Sequence, residues 1–322
     1  MKKKINKIDD IKTFLPVLAV ILSILIHKLI PNSKKYTSKV LPYYFDFLIV
    51  LLVIFGGITI IAFINKKVKE IWSFKSYFIA AAVMLLSIYN VLTIKTMIFP
   101  QLYFPCPDKI FGVFFEDWQL MITCFGYSSK LLLTGFFVGA VLGVFTGIAV
   151  GWSGKFSYWL NPLIKVAGPI PSTAWIPIAL VAFPNTFSAS VFLIALGVWF
   201  PTTVLTSSGI SNVKQAYFEV SSTLGSTPFQ NITKIAVPAA MPSMFIGLFN
   251  GACSSFITLM TAEMIGVKYG IGWYVNWQRE MMAYSNVYAG LIVIAITFSL
   301  IITILFKVRD KVLVWQKGVI KW

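Results

Sequence analysis

Apolar residues in this chain come in long unbroken runs separated by short polar joints. They do not follow the alternating or three-and-four spacing of a water-facing surface. The runs cover residues 13–31, 43–64, 77–99, 130–151, 163–183, 187–209, 239–264 and 286–306. Each is about long enough to cross a hydrocarbon layer of ~30 Å at ~1.5 Å per residue. Continuous rather than period-2 patterning predicts helices, not barrel strands. The fifth run is the weakest, because Pro169, Pro171 and Pro177 interrupt it. Prolines are tolerated in membrane helices where neighbours satisfy the freed carbonyls. The pattern therefore predicts an all-α, polytopic membrane helical bundle of about eight transmembrane helices.

Composition strengthens this picture. The 322 residues are 58% hydrophobic and 12% charged, about half the charged share of a soluble domain, with a mean hydropathy of +0.82. A net charge of +16 would suggest nucleic acid as partner in a soluble protein. Here the lysines cluster at the ends of the apolar runs, where they set topology, and no nucleic-acid partner is expected. The start "MKKKINKIDDIK" has the basic character of a signal peptide, but no small-x-small site follows, so an uncleaved helix is expected. With the N-terminus inside and eight crossings, 18 of the 27 Lys and Arg fall inside and both termini are cytoplasmic. The exception is the loop 31–42, which puts Lys34, Lys35 and Lys39 outside. Cys106 and Cys124 fall on the same outer side, which leaves a bridge open, but with Cys253 they are expected as free thiols. His27, the only histidine, is expected at a membrane interface.

One polar stretch breaks the apolar pattern in an organised way: "FEVSSTLGSTPFQNITKIAVPAA", residues 218–240. Its first half can make about two helical turns that Gly225 ends, with φ > 0 available at no side-chain cost. Glu219 near the start would complement the positive helix end. In the second half Thr227 is a good N-cap, Pro228 suits the first helical position, and Gln230 completes a capping box. Phe229, Ile232 and Ile235 recur every three residues as an apolar stripe. Pro238 is expected to break or kink the start of the next membrane helix. The stretch predicts a helix–Gly-turn–helix hairpin on the cytoplasmic side.

Glu219, Gly225, Ile235 and Pro238 also reproduce the intervals of the "EAA" motif of ABC-importer permeases: Glu-Ala-Ala, three residues, Gly, nine residues, Ile-x-Leu-Pro. Val220 and Ser221 stand for the two Ala, and Val237 for the Leu. The segments "FPCPDKIFGVF", "YSSKLLLTGFFVGAVLGVFTGIAVGWS", "NPLIKVAGPIPSTAWIPIAL", "LGVWFPTTVLTSSGI" and "TAEMIGVKYGIGWYV" follow in order. Together they resemble the nitrate/sulfonate/taurine branch of these permeases over about residues 100–322. The branch's Gly-rich outer turn is replaced by "AFPNTFSAS", and residues 1–76 resemble no family. The resemblance implies a type I ABC importer permease core at 77–322 with its coupling hairpin at 218–238, and an N-terminal extension at 1–76 with two extra helices.

The resemblance further implies a transporter subunit of the bacterial plasma membrane rather than an enzyme. Its implied partners are an ATP-binding cassette ATPase, an extracytoplasmic substrate-binding protein and a second permease copy in a homodimer. ATP and Mg would reside in the ATPase and no cofactor in this chain; no Gly-x-x-x-x-Gly-Lys-Ser/Thr loop is present, and "GVKYGIG" is not one. The residues implied for ATPase coupling are Glu219, Ser222, Leu224, Gly225, Ser226, Thr227, Pro228, Ile235 and Pro238.

By this topology none of the eleven acids lies near a membrane midplane, which argues against a carboxylate proton relay. Asp46 and Glu263 fall near outer ends; for Glu263 a gate, a packing role and simple interfacial placement are all open. A pathway for a small anion needs donors without heavy negative charge. The candidates are Ser172, Thr173, Trp175, Thr202, Thr203, Ser254, Ser255 and Thr258, of which only two or three are expected to touch substrate. The alternative is a secondary transporter of small anions without an ATPase, which would call for paired discontinuous helices or midplane ionisable groups. An intramembrane metalloprotease is excluded because a single His cannot supply a two-His site.

Overall fold

A computed structural model describes residues 7–36 and 41–315, and among them every regular element is a helix. In chain order the elements are α1 (Lys7–Leu29), α2 (Tyr43–Ile64), α3 (Lys66–Asn90, prolonged by a π-turn at Val91–Lys95), α4 (Pro107–Glu116) and α5 (Trp118–Trp152). Next come α6 (Gly154–Ala167), a 3₁₀ turn (Ser172–Trp175), α7 (Ile176–Ala182), α8 (Thr186–Ser211) and α9 (Gln215–Thr223). The last are α10 (Pro228–Gln230), a π-turn (Asn231–Ala236), α11 (Val237–Gly266), α12 (Ile271–Glu280) and α13 (Tyr284–Val312). Among the described residues, seven helical spans are long and apolar enough to cross a membrane. An eighth arises if α6 and the Ser172–Ala182 pair count together, although these meet at a bend of 88°.

That bend is the main departure from the eight expected runs. Gly168, Pro169 and Pro171 stop α6, and the chain restarts beyond them with Pro177 tolerated in the first turn of α7. Two helices also begin well before their apolar runs, α3 at Lys66 rather than 77 and α5 at Trp118 rather than 130. Hydropathy marks only the stretch that meets lipid, whereas the helix continues through polar turns that water can solvate. The sequence division at 76/77 consequently falls inside α3. The chain forms two compact units, one of residues up to Trp118 with Gln278–Ala289, the other of Gln119–Trp277 with residues from Gly290 onward.

In the first unit α1, α2 and α3 pack around Ala19, Val20, Tyr44, Leu48, Ala80 and Val83. Two charged side chains close helix ends. Asp108 of α4 accepts from the Tyr44 amide at 2.9 Å, satisfying an orphan donor in the first turn of α2. Burial pushes the Asp108 carboxyl above the usual carboxylate range. The Lys95 ammonium donates to the His27 carbonyl in the last turn of α1 at 2.8 Å. His27 packs its ring on Tyr44 and Phe45 at the start of α2.

The second unit is organised on α8. Gly135, Gly139, Gly143, Gly147 and Gly151 recur at every fourth position of α5 and meet Ile194, Val198, Thr202, Thr206 and Ile210 of α8, also four apart. The two series rise together, so α5 and α8 run parallel. A Cβ on Gly143 would lie 2.7 Å from the Thr202 Cβ and 3.0 Å from the Trp199 carbonyl oxygen. Only hydrogen fits there, and the backbones approach closely, as small residues allow in membrane helices. On another side α11 runs antiparallel to α8: Gly209 meets Ala240 and Ser243, Thr202 meets Gly247, and Val198 meets Gly251.

Glu263, at the far end of α11, is fully buried. Ser128 of α5 donates its hydroxyl to Glu263 Oε1 at 2.6 Å and accepts from the Ile271 amide at 2.8 Å. The Gly272 amide donates to Glu263 Oε2 at 2.8 Å. These three bonds tie the first turn of α12 to α5 and α11. Gly270 permits the approach: its φ is +148°, and a Cβ there would lie 2.5 Å from the Glu263 carboxyl carbon.

Three stability outcomes follow. Gly143→Val is expected to lower stability by about 1–3 kcal/mol through overpacking against Thr202. Gly56→Ala, at a position with open space around it, is expected to stay within about 0.5 kcal/mol of the parent in thermal unfolding in detergent. Glu263→Ala strands the Ser128 hydroxyl and the Gly272 amide and is expected to cost about 2–4 kcal/mol, Glu263→Gln less. Hydrogen exchange at the Ile271 and Gly272 amides reads the loss directly; unchanged protection in Glu263→Ala would show that the three bonds hold nothing.

Candidate functional site

Two places in the second unit gather the residues singled out from the sequence: the hairpin after α9 and a recess beside α8. In the hairpin Gly225 takes φ +78°. The Ser226 amide bonds the Ser221 carbonyl at 3.1 Å and the Gly225 amide bonds the Ser222 carbonyl at 3.0 Å. This pair of bonds is the Schellman closure of a helix that ends in a left-handed residue. The next helix opens with the full capping box: the Thr227 amide donates to Gln230 Oε1 at 3.0 Å, and the Gln230 amide to Thr227 Oγ1 at 3.3 Å. Both turn signals read from the sequence are therefore present in the geometry.

Three details differ from expectation. α9 begins at Gln215, so Glu219 sits mid-helix and exposed instead of in the first turn. Pro238 neither ends nor delays the membrane helix: Pro228–Ile265 is one helical span, widened by the π-turn just before the proline. The Val237 amide reaches back to the Ile232 carbonyl in i→i−5 fashion, so the ladder has already shifted when the missing Pro238 donor arrives. The apolar stripe also divides, with Ile232 and Ile235 half-buried and Phe229 exposed.

Asn231 was not singled out from the sequence, yet it braces the hairpin. Its buried Oδ1 accepts from Ser221 Oγ at 2.8 Å and from Ser226 Oγ at 2.6 Å. Ser226 therefore turns inward. Phe218 packs edge-on against Trp152 at the end of α5, beside a core of Ile210, Ala236, Ala240 and Met244. With its base held this way, the hairpin turns Tyr217, Val220, Leu224 (82% exposed) and Phe229 (74% exposed) outward. Ser222, Gly225, Thr227 and Pro228 are exposed among them.

The recess has a volume of about 250 Å³ and is lined by the Gly168–Ser172 bend, by Gly197, Trp199 and Pro201 of α8, and by Asn250 and Ser254 of α11. Three hydroxyls converge on Gly197: a Cβ there would lie 3.1 Å from each of Ser172 Oγ, Ser254 Oγ and Thr258 Oγ1. Ser172 and Thr258 are themselves hydrogen-bonded at 2.6 Å. Pro201, four residues beyond Gly197, withdraws the amide that would bond the Gly197 carbonyl. Among the described residues, no acidic side chain lines the recess.

The other candidates lie outside the lining of this recess. Thr203 is buried against Thr146 at 2.8 Å, and Trp199 Nε1 donates to the same Thr146 hydroxyl. Thr202 is buried between the glycines of α5 and α11, Ser255 bonds the Ala252 carbonyl of its own helix, and Trp175 packs into the cluster of Ile176, Ala179 and Leu193. Thr173 is half-buried. Asn250 and Gly197 carry the missed signal: a polar residue and a glycine inside otherwise apolar helices. All three cysteines are free, with Cys106 and Cys124 buried.

Comparison with known proteins assigns this architecture. The chain is 30% identical over 184 residues, 57% of its own length and 67% of the relative's, to the putative aliphatic sulfonates transport permease protein SsuC of Bacillus subtilis. It is 35% identical over 165 residues, 51% of its length and 58% of the relative's, to the nitrate import permease protein NrtB of Synechocystis sp.. Its fold matches a chain of the inward-facing MetNI methionine ABC transporter with a TM-score of 0.53 at 16% identity, covering 61% of this chain and 98% of that one. Residues 139–312, which hold α8, the hairpin and the recess, match the family model, and the chain belongs to the binding-protein-dependent transport system inner membrane components, the permeases of ABC importers.

Proposed function

We propose that this permease carries a small oxyanion of nitrate-, sulfonate- or taurine-like chemistry through a pathway beside α8, and that the exposed tip of its hairpin docks on a separate ATP-binding cassette ATPase that holds the ATP and Mg. The observation that carries the reading is the braced hairpin with its apolar tip in water. Exposed Leu224 and Phe229 on a segment capped at both ends are costly without a partner, and they suit the apolar groove of another subunit.

Mechanical continuity supports the coupling role. Pro228–Ile265 is a single helical span of 38 residues, about 57 Å at ~1.5 Å per residue. It carries the hairpin at its start, Ser254 of the recess and, bonded to Ser172 beside it, Thr258 along its length, and Glu263 at its far end. A displacement of the hairpin moves all three together. In this reading the hairpin and both termini face the cytoplasm, and a substrate-binding protein docks on the opposite face. A second copy of the chain completes the pathway as a homodimer. Ser172, Ser254, Thr258 and Asn250 supply donors for an oxyanion, with no acidic group among the lining residues to repel it. Membership of the importer family disfavours the alternative of a secondary transporter working without an ATPase.

Three sets of substitutions test the reading in proteoliposomes with the cognate ATPase and binding protein. Gly225→Pro removes the amide that closes the turn and demands an incompatible φ, so coupled uptake is expected to fall at least tenfold while membrane insertion is retained. Leu224→Ser with Phe229→Ser is expected to weaken co-purification of the ATPase without altering the thermal stability of the permease. Full co-purification by that double variant would remove the hairpin tip from the interface. Gly197→Val fills the point where the three hydroxyls meet and is expected to lower uptake while leaving ATPase binding intact; unchanged uptake would place the pathway elsewhere.

A further inference from the structure

The positive-inside count leaves an anomaly. Six of the nine Lys and Arg that fall on the outer side, Lys28, Lys34, Lys35, Lys39, Lys95 and Lys109, lie within the first 118 residues. Two of the six meet in one recess of the first unit. It has a volume of about 360 Å³ and is lined by His27, Lys28, Ile30, Pro31 and Asn32 after the last turns of α1, by Phe45 of α2, and by Lys95. Lys95 is only 8% exposed. One of its three N–H groups goes to the His27 carbonyl, leaving two without a protein acceptor among the described residues. The Lys28 ammonium stands 4.8 Å from the centre of the Phe45 ring on the same recess.

The nearby acids do not neutralise the pair by contact. Asp108 is close enough to feel the Lys95 charge, but it is 1% exposed, accepts the Tyr44 amide and does not line the recess. Asp46, one residue beyond Phe45, is exposed and does not line it either. A nearly buried ammonium at the end of a membrane helix is costly unless an anion joins it. The helices that frame the recess present Leu25 and Leu29 of α1 and Ile49 and Val53 of α2 outward, apolar faces suited to acyl chains below a headgroup.

We propose that this recess is a binding site for a phosphate-type oxyanion, held between Lys28 and Lys95 and presented by the headgroup of an anionic lipid. Lys95 gives two directed hydrogen bonds and Lys28 a second charge, while Phe45 and Pro31 wall the site. Basic recesses between membrane helices are suited to anionic headgroups in this way. The site lies in the N-terminal region outside the family match and does not depend on the transport reading.

The test uses the full chain in nanodiscs of phosphatidylcholine with and without phosphatidylglycerol, and reads retained lipid by native mass spectrometry and the thermal midpoint. The parent is expected to retain phosphatidylglycerol over phosphatidylcholine and to melt higher with it. Lys28→Gln, which leaves the α1 end bonded to Lys95, is expected to weaken retention about fivefold, and Lys28→Gln with Lys95→Gln by a further comparable factor. Lys214→Gln, far along the chain on α9's flank, removes one charge elsewhere and is expected to change nothing. Inorganic phosphate at millimolar concentration separates the sources: displacement of the lipid assigns the site to a free oxyanion, and its failure assigns it to the headgroup. Equal retention of both lipids by the parent, or parent-like retention in Lys28→Gln, overturns the proposal.

Discussion

The contact between α5 and α8 is the constraint on which the transport half of this chain depends. Five glycines at successive fourth positions remove every side chain from one face of α5, and branched or hydroxylated residues of α8 fill the space down to the backbone. In a membrane there is little hydrophobic drive to bring helices together, so close packing has to supply the attraction. The stripe sets the distance and the parallel direction of the pair. Once α8 is held, α11 can lie antiparallel against it through Gly209, Gly247 and Gly251. The hairpin base then packs on the ends of α5, α8 and α11 together, through Trp152, Ile210 and Ala240.

Along α11 the same helix carries three different tasks, and each uses a local departure from regular helix. At its start a π-turn lets the chain pass Pro238 without a break and turns Asn231 toward the two serines of the hairpin. At mid-length Ser254 and Thr258 approach Gly197, where the absent side chain leaves room for hydroxyls. At its end Glu263 accepts from Ser128 and from the first turn of α12, made accessible by Gly270. A carboxylate buried with two donors is stable in place and costly to expose, so this end is well suited to hold α12 firmly.

Legibility in the sequence tracks how local the cause is. Gly225, Thr227, Pro228 and Gln230 act within a few residues of themselves, and their turn and capping box appear as the spacing predicts. Membrane spans are nearly as legible, because lipid imposes helix on any apolar run of sufficient length. Their ends are less so, since polar turns of α3 and α5 extend the helices beyond the hydropathy signal. The placements of Asn231, Gly197, the seven candidate hydroxyls and Trp175 were not legible. Whether a Ser or Thr in a membrane helix faces a recess, its own carbonyl or a neighbour depends on which helix lies opposite.

The sequence by itself determined an all-α membrane bundle, a capped hairpin with the Glu–Gly–Ile–Pro spacing of an importer permease, and an uneven distribution of lysines at its ends, because each follows from local backbone rules or from transfer between water and lipid. Tertiary structure decided the rest: that Ser172, Ser254 and Thr258 meet at Gly197, that Glu263 is buried against Ser128, and that Lys28 and Lys95, 67 positions apart, share one recess. Those are contacts between distant segments, and their geometry is set by which helices pack against one another, which no single helix encodes.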